Sequence, residues 1–436
     1  MPSRLSRRKF LAASAASVLA APMFARTPKP GEKLNVAVIG VNNRGAANVA
    51  GVEHENLVAL CDVDEAWSGK QREKFPKAAF FTDYRKMFDT MANQIDAVVV
   101  STPDHTHALP SCIAMSLGKP VYCEKPMAET VAEVRAMREL AAKKKLVTQM
   151  GTQIHAGENY RRVVEVVQSG ALGDVNRVWV WNSSRPVGGK RIGPKPSAKF
   201  DTDLWLGPTT AAFFEAEVNK SPWNFAWPHF HWRWWWEFGG GTLADLGCHY
   251  IDLPYWALGL TSPTKVTAKG EKTYSGDNTT PDVMRVDYEF TLPGSGKPLT
   301  LTWQHGVAGP GDTPEVYKGY GAGIRFDGTK GQLVADYGKY MVLPEAFAKD
   351  FKAPPKSIEK SVGHHKEWCE AIKSGSPTTC NFEYAGRLAE CVLLGNVAYR
   401  AGKPIAWDHA KGTTGDKAAD AFLSREFRKG WELPKA

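Results

Sequence analysis

From Leu34 onward, short apolar runs alternate with stretches whose apolar residues recur at helical spacing. Leu34–Gly40, Leu57–Asp62, Ile95–Ser101, Val121–Glu124 and Leu146–Met150 read as strands, and His107–Leu117 and Val131–Lys143 as amphipathic helices. Strands separated by helices predict a parallel sheet covered on both faces. After Gly151 the rhythm changes. Glu158–Gln168 reads as a helix stopped at Gly170 and Gly173, and Arg177–Ser183, Lys265–Lys269, Met284–Thr291 and Leu299–Gln304 alternate as half-buried strands. Few helices separate the later strands, which predicts a largely antiparallel sheet. Helical spacing returns at His364–Ile372 and Tyr384–Tyr399. The predicted fold class is α/β, with a doubly wound parallel sheet over residues 33–150, a second α/β domain over 151–400 and a C-terminal segment over 401–436.

The length of 436 residues allows two cores, and 43% hydrophobic with 23% charged residues is ordinary for a soluble globular chain. Ser6-Arg7-Arg8-Lys9-Phe10-Leu11 opens a basic segment that runs into an apolar, alanine-rich stretch ending at Ala25. Residues 1–25 therefore read as a cleavable export signal of the twin-arginine type, which predicts passage through that export machinery and a periplasmic or otherwise exported protein. The stretch is too short and too rich in alanine to span a bilayer, so no stable membrane insertion is expected. Four of the charges behind the net +9 (Arg4, Arg7, Arg8 and Lys9) belong to this leader. The remaining balance, with no basic stripe interleaved with aromatics, argues against a nucleic-acid partner. Seven cysteines at irregular spacing, mostly within apolar segments, predict buried thiols and no disulfide framework.

The first strand ends in Gly40-Val41-Asn42-Asn43-Arg44-Gly45. Its first glycine allows a tight strand-to-helix turn, its last allows close helix–strand packing, and the amides between them suit a pyrophosphate. Asn42 replaces the usual second glycine. Asp62 ends the next strand, 22 residues after Gly40, where a carboxylate suits the ribose hydroxyls of NAD and repels the phosphate of NADP. Two further strand ends should open on the same crevice. One carries Thr102, Pro103, His105 and His107, and the other carries Glu124 and Lys125. All of these are candidate cofactor contacts.

These motifs, with Ser101-Thr102-Pro103, Glu124-Lys125-Pro126 and Asp245-Leu246-Gly247-Cys248-His249, resemble the glucose–fructose oxidoreductase / inositol dehydrogenase family (Gfo/Idh/MocA) from about Leu34 to Arg400. The resemblance implies a Rossmann domain, a second domain with an open sheet whose face covers the nicotinamide, and catalytic roles for Lys125, Asp245 and His249. Read without it, Thr242–Leu258 is a helix on which Asp245, His249 and Asp252 share a face. Gly247 and Pro254 both weaken that helix, which predicts a close backbone contact or a bend. The stretch His229–Phe238 holds four tryptophans. It suits either the C–H faces of a sugar or a buried aromatic core. Gln153, Trp232, Arg233, Asp245 and His249 are the candidate substrate contacts.

Oxidising an alcohol needs a hydride acceptor, a base and a charge to steady the oxyanion. Bound nicotinamide would be the acceptor, His249 the base, Lys125 the charge, and Asp245 would orient His249 or hold a neighbouring hydroxyl. The expected reaction is hydride transfer between NAD and a sugar- or cyclitol-like hydroxyl. Folded export favours tightly bound NAD and an internally redox-neutral alternative, in which a glycoside is transiently oxidised and then undergoes elimination, hydrolysis or epimerisation. A non-catalytic sugar-binding scaffold is a further alternative. No metal is expected: His105, His107, His229 and His231 with Asp245 and His249 match no zinc spacing. An open sheet also predicts a homo-oligomer.

Overall fold

A computed structural model describes residues 31–185, 189–192, 199–218, 227–309 and 321–434; the predicted leader at residues 1–25 lies outside them. Strands β1 (Asn35–Ile39), β2 (Asn56–Cys61), β3 (Ala79–Phe81), β4 (Ala97–Val100), β5 (Val121–Cys123) and β6 (Thr148–Met150) form a parallel sheet in the order β3-β2-β1-β4-β5-β6. This is the doubly wound dinucleotide-binding order, whose direction reverses between β1 and β4. Both faces of β1 are buried. Val36 and Val38 join one apolar cluster and Ala37 and Ile39 the other, all at most 2% exposed. That double burial makes the strand read as one unbroken apolar run.

The second sheet comprises β7 (Val175–Asn182) and β10 (Lys265–Glu271) to β16 (Ile405–Ala406), while β8 (Gly189–Ile192) and β9 (Glu215–Val218) form a separate ribbon. Between them lie β11 (Val283–Thr291), β12 (Pro298–His305), β13 (Ala322–Gly328), β14 (Gln332–Ala335) and β15 (Tyr340–Leu343), in the order β15-β14-β13-β7-β12-β11-β10-β16. Every neighbouring pair is antiparallel except β7 with β12. Strand β11 shows the period of two: Met284, Val286, Tyr288 and Phe290 are buried, while Arg285, Asp287 and Glu289 face the other way.

Two late helices return to the first sheet. His364–Ser374 brings Trp368 and Cys369 into the cluster of Val36 and Val38. Phe382–Ala401 packs at once on the helix Val131–Lys144, on β10 and on the helix Gly241–Tyr250. All seven cysteines are buried free thiols. Among the described residues no helix is long and apolar enough to cross a membrane.

Candidate functional site

A cavity of about 500 Å³ opens at the C-terminal ends of β1, β2, β4 and β5 and is closed from the far side by residues 228–233 and the helix Gly241–Tyr250. Gly40 turns the chain with φ of 79°, and a Cβ there would sit 2.7 Å from the carbonyl of Ser101. Only glycine fits both demands. Asn43 also has positive φ, at 52°, and takes its support from Asn42, whose Oδ1 accepts the Asn43 amide at 2.9 Å. The helix Arg44–Val52 then begins with no side chain capping its first turn. The amides of Gly45 and Ala46 are held by the Asn42 and Asn43 carbonyls, and the positive end of the helix dipole lies at the cavity mouth, which suits an anionic diphosphate. Asp62 accepts the amides of Val41 and Asp64, both at 3.0 Å, and burial raises its pKa.

These residues fit a dinucleotide. Three polar atoms on the cavity lining, Thr102 Oγ1, His107 Nδ1 and His249 Nδ1, are buried without a partner among the described residues. A ligand with both donors and acceptors would satisfy them. The groove is also bridged from the other half of the chain. His229 stacks on Trp67 at 4.3 Å, its Nε2 lies 3.0 Å from Asp64, and its carbonyl accepts the side-chain amide of Asn43.

Glu124 is a buried hub rather than a free ligand. Its Oε1 accepts Arg44 Nε at 3.0 Å, Asn48 Nδ2 at 2.9 Å and Gln153 Nε2 at 2.7 Å. Burial opposes its ionisation, but Arg44 and Lys125 outweigh that and hold its pKa below the ordinary value. Gln153 is thereby fixed at the cavity edge, its amide shared with the Tyr122 hydroxyl.

Next to this hub the two halves of the chain meet. Lys125 Nζ donates to Asp245 Oδ1 at 2.7 Å and to the Asp245 backbone carbonyl. Arg233 Nε donates to the same Oδ1 at 3.0 Å. Burial disfavours a charged Asp245, yet the two cations more than compensate, and its pKa lies well below the usual carboxylate range. His249, one turn on, is pushed down to about 3 by burial and by the neighbouring Lys125 cation, so its ring is neutral. Asp104 was missed in the sequence. It lies 5% exposed on the lining, and burial raises its pKa to about 7 although Arg233 and Lys125 pull the other way.

Several expectations are corrected here. His105 is fully buried away from the cavity, its Nε2 held by the Trp205 carbonyl at 2.8 Å and its ring against Trp205 and Phe238. Gly45 does not line the cavity either; a Cβ there would fall 2.1 Å from the Gly40 oxygen, so it serves helix packing alone. Both cations take Oδ1 of Asp245. The helix predicted over Thr242–Leu258 is two, Gly241–Tyr250 and Asp252–Ala257, because Pro254 cannot donate to the Tyr250 carbonyl. Asp252 consequently leaves the shared face and pairs in the core with His155 at 2.9 Å and the Tyr384 hydroxyl at 2.7 Å. Gly247 has its close contact: a Cβ would lie 2.9 Å from Val392. The tryptophan stretch is mainly a core in which Trp232, Trp234, Trp235 and Phe238 pack with Trp205, Phe214 and Trp227. Trp232 also lines the cavity. The imidazoles weighed as metal ligands bond elsewhere, His107 to the Thr102 carbonyl and His229 to Asp64.

Residues 34–152 match the model of the Gfo/Idh/MocA oxidoreductase family's NAD-binding Rossmann fold, and residues 215–334 match the Gfo/Idh/MocA C-terminal domain. The chain is 31% identical over 150 residues to inositol 2-dehydrogenase 1 of Saccharopolyspora erythraea, covering 32% of this chain and 43% of that protein. It is 30% identical over 156 residues to an alpha-N-acetylgalactosaminidase of Shewanella oneidensis, covering 33% of this chain and 34% of that one. The chain thus spans less than half the length of either relative. In three dimensions it is similar to GenD2 from gentamicin A biosynthesis in complex with NAD. The TM-score is 0.60 at 19% identity, over 88% of this chain and 99% of the other, which is a likeness of fold.

Proposed function

The chain belongs to the Gfo/Idh/MocA oxidoreductase family, and from that premise we propose that it exchanges hydride between NAD and a hydroxyl of a sugar or cyclitol. The observation that carries this reading is the shared carboxylate: Lys125, Arg233 and Asp245 meet beside the unpartnered ring nitrogen of His249, at the lip of the dinucleotide cavity. Bound NAD supplies the hydride acceptor. Asp62, at the end of β2 on the cavity lining, would accept the ribose hydroxyls and disfavour a phosphate there. Lys125, pinned by Asp245, donates to the reacting oxygen and steadies charge as it develops. Neutral His249, whose ring lines the cavity, would take the hydroxyl proton. Asp104, on the same cavity lining and ionised above about pH 7, would be the carboxylate that receives that proton.

A second reading has its own support. The bridge from His229 to Asp64 and Asn43 crosses the groove from the other half of the chain, which favours a nucleotide that stays bound. Such a site suits a glycoside transiently oxidised, altered and reduced again, and one relative carries a glycosidase name. Export through the twin-arginine route and assembly into a homo-oligomer belong to the same proposal. The deciding experiment is to purify the protein from the exported fraction, dialyse it, denature it and quantify NAD(H) by mass spectrometry, in parallel with turnover on polyols, aldoses and aryl glycosides. Near-stoichiometric nucleotide with turnover that needs no added NAD selects the redox-neutral route. Empty protein that oxidises sugars on addition of NAD selects the dehydrogenase. A chain that neither holds nor binds NAD refutes both.

A further inference from the structure

The tryptophan-rich segment has two sides. Trp232 and Arg233 line the dinucleotide cavity, whereas Trp236, Glu237, Gly239 and Gly240 line a second cavity of about 590 Å³. Trp235 and Phe238, both fully buried, lie between them in the aromatic core. The second cavity shares no lining residue with the first.

Its chemistry is mixed in a specific way. Asn396 is only 6% exposed; its Nδ2 donates to the Gly240 carbonyl at 2.9 Å, and its Oδ1 has no partner among the described residues. Glu237 gives one oxygen to Arg191 at 2.5 Å and leaves Oε2 buried without a partner. Arg425 binds Glu129 and Glu133 yet leaves its Nε unpartnered. The Arg400 guanidinium stacks 4.5 Å from the Phe422 ring and 5.3 Å from that of Trp236, with no side-chain hydrogen bond among the described residues. Two acceptors and two donors thus await partners around an indole. A simple anion would serve the guanidinium groups but would repel Glu237 and offer nothing to the Asn396 carbonyl oxygen. Vicinal hydroxyls on an apolar C–H face satisfy all of them, since each hydroxyl both donates and accepts.

We propose that this cavity is a second binding site, for a neutral saccharide unit, distinct from the unit handled at Lys125. It does not rest on the hydride-transfer reading. Saturation-transfer NMR titrations of the full chain with cellobiose, lactose and maltose test it, with glucuronate and inorganic phosphate as anionic probes. Binding of a neutral disaccharide should weaken about tenfold in Trp236→Ala and at least about threefold in Arg400→Gln. It should be unchanged in His249→Asn. Arg400 is an exposed side chain, so its variant keeps the test open if Trp236→Ala fails to fold. Both variants should bind NAD as the parent does. Absence of saccharide binding, binding of the anions alone, or a loss that follows His249→Asn instead would each overturn the proposal.

Discussion

The dinucleotide cavity has two walls built on opposite terms. The wall at Gly40–Arg44 is backbone: a glycine with no room for a Cβ, an asparagine in left-handed conformation and a helix end with no side-chain cap. The wall at Lys125 is charge: one carboxylate shared by two cations, with a neutral imidazole and a buried carboxyl beside it. The first is supplied by consecutive residues of one turn. The second is assembled from β5, from residues 230–234 and from the helix Gly241–Tyr250, across 120 residues of sequence. Backbone walls bind and side-chain walls react, so substitutions in the two should separate affinity from rate.

The largest effect is expected at Lys125. Lys125→Ala should lower turnover on the order of 10²–10⁴-fold and leave NAD affinity intact, read by steady-state kinetics beside a fluorescence titration of NAD. Arg233 still holds Asp245 in that variant, so no buried carboxylate is stranded. Turnover near that of the parent would remove Lys125 from the chemistry. Next comes Gly40→Ala, which should weaken NAD by about tenfold or more while kcat at saturating nucleotide stays close to the parent's. A fall in kcat with unaltered affinity would erase the contrast between the walls.

Asp62→Asn should come third, cutting the preference for NAD over NADP by about tenfold, measured as the ratio of the two kcat/KM values. The smallest effect is a change of profile. Activity should rise with pH through a limb near 7, set by Asp104, and Asp104→Asn should flatten that limb. Stability moves the opposite way. Asp104 has a folded pKa above the unfolded value of about 3.9, so its protonated form favours the fold, and that contribution fades as pH climbs from about 4 to 7. Asp104→Asn should therefore gain more in melting temperature over the parent at pH 8 than at pH 5.

The same division decides what could be read in the sequence. Gly40, Asn43 and Asp62 are legible because one turn and one strand fix their relation at a constant spacing. Strands β1, β4 and β5 were legible because burial on both faces makes each an apolar run. Strand β3 was not: Ala79–Phe81 is no shorter than β5 or β6 but is only half-buried, at the sheet's edge. Strands β13 to β15 were missed too, although Ile324, Arg325, Phe326 and Asp327 of β13 do alternate apolar with polar; Arg325, 2% exposed, is on the polar face and pairs there with Asp327. Lys125, Asp245 and His249 stood out through a family resemblance, since nothing local announces that residues 125 and 245 touch. Arg233, expected at the substrate, lines the cavity and also holds Asp245, a contact 12 residues apart that the sequence does not announce. Asp104 gave no signal because its character comes from burial, a property of the assembled cavity.

The helix Phe382–Ala401 fixes the order in which this site can come into being. The parallel strands end at Met150, and most of their hydrogen bonds are available once that residue has left the ribosome. The backbone bond from Met150 to Cys380, the support of Gly247 on Val392 and the tie of Asn396 to Gly240 all wait for chain made more than 200 residues later. During synthesis the glycine turn can therefore form while the helix bearing Asp245 and His249 still lacks its seat. A nascent chain arrested near residue 360 lacks both late helices and should bind nucleotide poorly or reversibly and react with nothing.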